Sequence, residues 1–180
     1  MTETQSGAPR QPDAVGRVLA TLCHVFAAAG GVVLIGITIM SASSIVGRTL
    51  LGKPITGDFE LVQLACAVCV AAFLPYAQQQ RSNIIVDFFT VNASRKTRTR
   101  LDAIGALLVA LVTGLVGWRT AVGATVVYAN GETSMLMGVP IWISYAMMAP
   151  GFMLTCLVAL HAAWEYWRES GDSDESGDNE

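Results

Sequence analysis

The amino-acid sequence predicts an all-α integral membrane protein, a four-helix bundle that crosses the bilayer four times with both ends in the cytoplasm. Three observations carry that reading. Apolar residues make up 53% of the 180 residues and charged residues only 14%, whereas soluble domains carry about a quarter charged residues. The charges cluster in the first 17 positions, one central loop and the last dozen positions. Between those clusters lie four apolar stretches, each near the roughly 20 residues of helix that a hydrocarbon core of about 30 Å demands.

Residues 1–17 are polar and are expected to be a disordered cytoplasmic N-terminus. The first span, about 18–46, contains no charge. It is longer than the core and should tilt or project beyond it. Arg10 and Arg17, the apolar run that follows and Ala27-Ala28-Ala29 have the order of a cleavable signal peptide. The apolar run continues to Val46, however, so a retained anchor is the better reading. The second span, about 59–80, is entered through Phe59-Glu60. The third, about 101–128, is interrupted from Ala103 to Tyr128 only by Arg119, and the fourth, about 141–164, has His161 as its one ionisable group. Between spans two and three, Ile84, Ile85, Phe88, Phe89 and Val91 recur at helical spacing ahead of Arg95, Lys96, Arg98 and Arg100. An apolar stripe ending in cations predicts an amphipathic helix lying in the membrane interface. Five of the 14 acids fall within the last ten residues, so 168–180 reads as an acidic disordered cytoplasmic tail.

Orientation follows from lysine and arginine in the short flanks of the spans. Arg10, Arg17, Arg81, Arg95, Lys96, Arg98, Arg100 and Arg168 lie on one side, and only Arg48 and Lys53 on the other. Both termini are therefore expected in the cytoplasm. Trp142 and Tyr145 mark the outer end of span four, and Trp164, Tyr166 and Trp167 its inner end. Arg119 lies 17 residues beyond Asp102, or about 25 Å along a helix, which puts it near the outer interface. It either snorkels there or meets a carboxylate of another span or subunit.

Catalytic patterns are sparse. Cys66-Ala67-Val68-Cys69 has the CxxC spacing of thiol-disulfide oxidoreductases. Both thiols lie within a span, where i,i+3 positions hold their Cβ atoms about 5–6 Å apart, wider than the roughly 3.5–4.5 Å of a disulfide. Neither outer loop contains a cysteine, and helix packing is the preferred role for these two, as for Cys23 and Cys156. His24 and His161 sit at comparable depth, but no third ionisable group would extend them into a proton relay. No span holds a midplane carboxylate, and no metal-ligand set, phosphate-cradling glycine loop or nucleophilic triad is present. A cofactor is not expected, and nothing suggests nucleic-acid binding. Small residues do form stripes: Ala106, Ala110 and Gly114, with Thr113, Gly117 and Ala121, on span three, Ala27 and Gly31 on span one, and Ala67 and Ala71 beside Gln63 on span two. Such stripes let membrane helices approach closely, within one chain or onto a partner.

The stretch Gly47-Arg48-Thr49-Leu50-Leu51-Gly52-Lys53-Pro54-Ile55-Thr56-Gly57-Asp58-Phe59-Glu60-Leu61 resembles the small permease subunit of the tripartite ATP-independent periplasmic (TRAP) transporters, the DctQ-like family. The likeness continues through Phe73-Leu74-Pro75-Tyr76-Ala77 and Ile84-Ile85-Val86-Asp87, and returns at Gly131-Glu132-Thr133-Ser134-Met135-Leu136 and Val139-Pro140-Ile141-Trp142 with Tyr145. It covers roughly residues 15–165. The resemblance implies a protein of the bacterial inner membrane that is not an enzyme. It would scaffold a large permease subunit and help dock a periplasmic solute-binding protein during sodium-coupled uptake of carboxylate-bearing solutes. Arg48, Gly52, Pro54, Gly57, Glu60, Asp87, Arg119, Thr133, Ser134 and Pro140 are the candidate structural or partner-contact residues. Glu60, in the first turn of span two, is expected to complement the helix dipole and to pair with Arg48. Asp87 is expected to hold Arg81 or the Arg95–Arg100 run, and Thr133-Ser134 ahead of Pro140 to order the second outer loop.

Overall fold

A computed structural model describes residues 14–52, 57–80 and 95–175. Four helices run in chain order: α1 (Ala14–Leu51), α2 (Asp58–Gln79), α3 (Arg95–Asn130) and α4 (Trp142–Glu175). All four are long and apolar enough to cross a membrane, so the chain is a multi-pass membrane protein. Outside the helices, an isolated β-bridge joins Thr133 to Pro140.

Packing follows an open row. α3 lies along α4, α4 lies on α2 and α2 on α1, while α1 only grazes α4. Each seam is explained by small side chains, because lipid supplies no hydrophobic force between helices and close backbone approach must hold them together. Ala103, Ala106, Ala110, Thr113 and Gly117 recur at intervals of three or four and form the buried face of α3. Gly114 meets the Cys156 sulfur, and Gly117 meets Phe152 and Met153 of α4. The predicted stripe of α3 is therefore an internal seam. At the α2–α4 crossing, Gly151 lies directly on the Ala71 backbone, beside Pro150, the proline within α4. On α1 the contact glycine is Gly30, whose Cα faces Ala72 and Phe73, whereas Gly31 has no close neighbour.

The cysteines belong to these seams. Cys23 is fully buried with Leu154 and Val158 against Leu19, Phe26 and Tyr76. The buried Cys69 thiol donates to the Gly30 carbonyl oxygen at 3.4 Å, while Cys66 is exposed, and both are free. One thiol of the CxxC pair packs against α1 and the other faces outward, which gives the oxidoreductase reading no support.

The helices overrun the expected spans at several ends. α1 begins at 14 and ends at 51, α3 begins at 95, and α4 continues to 175, so residues 168–175 are helical where an unfolded tail was expected. Each added residue extends a helix already nucleated by its apolar segment, and propagation needs only one hydrogen bond per residue. Residues 176–180 and the stretch 81–94, with Asp87 and the expected interfacial helix, lie outside the described residues.

Candidate functional site

The end of the row that holds the α1–α2 and α3–α4 turns is the most elaborated part of the described residues. Gly57, at φ 81°, caps α2, and its carbonyl accepts from the Leu61 amide at 3.2 Å. A left-handed conformation costs a residue with a Cβ about 1–2 kcal/mol, and any Cβ here would also meet Met137. Asp58 and Glu60 occupy the first turn of α2, where carboxylates complement the partial positive charge of the helix N-terminus.

These two acids have different partners. Asp58 accepts from the Ser44 hydroxyl at 2.6 Å and lies 3.7 Å from the Arg48 guanidinium, both on α1. Glu60 is turned to the α3–α4 loop, where its carboxylate accepts from the Ser134 hydroxyl and from the amides of Met135 (3.1 Å) and Leu136 (3.2 Å). The expected Arg48–Glu60 pair is therefore replaced by Arg48–Asp58. The reason is helical phase: residues two apart point to nearly opposite sides, while Ser44 and Arg48, four apart, share the face of α1 that meets Asp58.

The loop that Glu60 grips has its own frame. Asn130 ends α3 in a Schellman motif, with Gly131 at φ 63°, the Gly131 amide on the Tyr128 oxygen and the Glu132 amide on the Val127 oxygen. The Ser134 amide then bonds the Val139 oxygen at 2.9 Å, and the Gly138 amide the Ser134 oxygen at 3.0 Å. The Thr133–Pro140 bridge closes the base. The apex, Met135-Leu136-Met137, projects outward, with Met135 98% exposed. One hydroxyl and two backbone amides bonded to an anion thus hold an apolar loop tip whose Met135 and Leu136 stay exposed. Below the tip is an open cavity of about 630 Å³, lined among others by Glu60, Gln63, Thr120, Ser134, Ser144 and Tyr145. Tyr128 and Trp142 meet edge to face at 5.4 Å and brace the two ends of the loop.

Of the residues singled out in the sequence, Glu60, Thr133, Ser134 and Pro140 come together here, next to Gly57. Arg48 lies on the α1 side of the same turn, and Gly52, at φ 65°, follows the end of α1. Pro54 and Asp87 lie outside the described residues. Arg119 is elsewhere, on the exposed side of α3. Ser44 and Asp58 were not singled out by sequence. Their signal was the spacing of Ser44 and Arg48, which sets both on one helical face ahead of an acidic first turn. At the other end, His24 rests against Tyr76 with ring centroids 5.2 Å apart, and His161 lies 3.7 Å from Glu165. Among the described residues no group of three His, Cys, Asp or Glu side chains is placed to hold a metal. The arrangement as a whole presents surfaces.

A family model for the DctQ component of the tripartite ATP-independent periplasmic transporters matches residues 37–169. This chain belongs to the DctQ family. No curated protein and no solved structure matched it. A DctQ chain is the small membrane subunit of a TRAP transporter, a component of a tripartite system with a large permease and a periplasmic binding protein, and it is a transporter part, not an enzyme. The matched segment begins within α1 and ends within α4, so it takes in the whole Glu60-centred site.

Proposed function

We propose that this DctQ-family chain scaffolds the large permease and helps dock the periplasmic binding protein during sodium-coupled uptake of carboxylate-bearing solutes. The observation that carries this reading is the Glu60 clamp. A loop fixed by charge-assisted hydrogen bonds keeps its apolar tip outside, and a preorganised tip reduces the ordering cost of binding a protein. The eight-to-two distribution of lysine and arginine supports placing that loop outside the cytoplasm of a bacterial inner membrane, with both termini inside. Solute and sodium sites then belong to the large permease, in keeping with spans that hold no midplane carboxylate.

The test is uptake by the reassembled three-component system in proteoliposomes with an imposed sodium gradient. Glu60→Ala should lower transport at limiting binding protein while the two membrane subunits still copurify. Wild-type chain that fails to copurify with a large permease would refute the scaffold role, and full uptake by Glu60→Ala would refute the docking role.

A further inference from the structure

Arg119 has no ion-pair partner among the described residues and is exposed on α3, the edge helix of the row. Around it, Leu108, Leu111, Leu115, Val122 and Val126 form a continuous apolar stripe at helical spacing, all exposed, opposite the buried Ala106–Gly117 face. Measured from Asp102 the guanidinium is near the outer surface, but α3 continues to Asn130. Tyr128, whose ring meets Trp142 as in an interfacial aromatic belt, lies nine residues further on, or about 14 Å. A fully extended arginine side chain covers roughly half that distance. Helical side chains also lean toward the N-terminus of their helix, here the distant end, where Asp102 is about 25 Å away. Arg119 therefore lies on the membrane side of the Tyr128–Trp142 pair and not beyond it. It sits at a recess of about 350 Å³ lined by Leu115, Val116, Thr120 and Tyr145.

A cation at that depth calls for an anion at the same depth. None of the described residues supplies one: Asp58, Glu60 and Glu132 lie at the Gly57 end of the row, and Asp102 and Glu165 flank the apolar cores of α3 and α4 toward the opposite end. A second copy does not supply one either, because the apolar cores of all four spans lack Asp and Glu. Resting on the scaffold reading above, we propose that the outward face of α3 is the surface that meets the large permease, with Arg119 paired to a carboxylate on a membrane helix of that partner. The stripe on either side of Arg119 supplies the packing, and the recess beside Tyr145 receives the carboxylate.

The experiment uses the chain coexpressed with its large permease and purified through a tag on the small subunit. Arg119→Glu should reduce copurified permease at least tenfold at equal membrane level, and Arg119→Lys should retain most of it. A photoreactive residue at Leu115 should crosslink to the permease, whereas one at Ile35, exposed on α1, should not. Undiminished copurification of Arg119→Glu, or crosslinking from Leu115 to lipid alone, overturns the inference while leaving the scaffold reading intact. A wild-type chain that brings down no permease overturns both.

Discussion

The two helical hairpins of this DctQ chain have the same topology and contrasting construction. α3 and α4 meet along a seam of small residues from Ala103 to Gly117, and a bridged, glycine-punctuated loop joins them. α1 meets α2 around Gly30, Ala72 and the Cys69 thiol and leaves Val32, Ile35 and Ile39 exposed. The first hairpin contributes polar anchors at its turn, and the second contributes the loop that those anchors grip. The two hairpins are tied to each other at the Gly151–Ala71 crossing and at Glu60.

Breaking the crossing should have the largest effect. Gly151→Leu places a side chain where the Ala71 carbonyl carbon is 2.8 Å from a Cβ. Backbone cannot yield as a flexible side chain does, so the expected cost is roughly 3 kcal/mol or more, read as loss of monodisperse protein in detergent. Glu60→Ala comes next, at about 1.5–3 kcal/mol for hydrogen bonds to a charged group. It should raise amide exchange at Met135 and Leu136 while leaving the α3–α4 seam protected. If exchange in that seam rises equally, the two hairpins are not separable units. Gly57→Ala should cost about 1–2 kcal/mol for its left-handed φ, with Met137 shifting to make room, and a thermal shift assay would measure it. The smallest effect belongs to Arg48→Ala. The guanidinium is half-exposed at 3.7 Å from Asp58, and such surface pairs are worth about 0–1 kcal/mol. A thermal shift as large as that of Glu60→Ala would show that the α1 side of the turn matters as much as the loop side.

Much of this was legible in the sequence, for identifiable reasons. Four spans follow from uncharged stretches against a fixed bilayer thickness, and the α3 stripe of Ala106, Ala110 and Gly114 follows from spacing. Which helix that stripe would face was not readable, because small residues permit close approach without naming the partner. The same ambiguity hid the choice of Gly30 over Gly31. Thr133, Ser134, Pro140 and Glu60 were each visible as candidates, but the bond from Glu60 to Ser134 spans 74 residues and depends on the phase of α2. That phase assigned Arg48 to Asp58 instead. Helix ends were the least readable, since Gly171 and the Ser and Asp residues around it disfavour helix without ending one already started in the membrane.

The clamp also bears on the order in which the molecule is built. Glu60 leaves the ribosome 74 residues before Ser134, so the first hairpin enters the bilayer with that carboxylate still solvated. Its donors arrive only when the second hairpin has crossed and brought its loop to the same side. Closing the clamp is then a late event, open only to a chain whose third helix has carried the loop to the side that already holds Glu60.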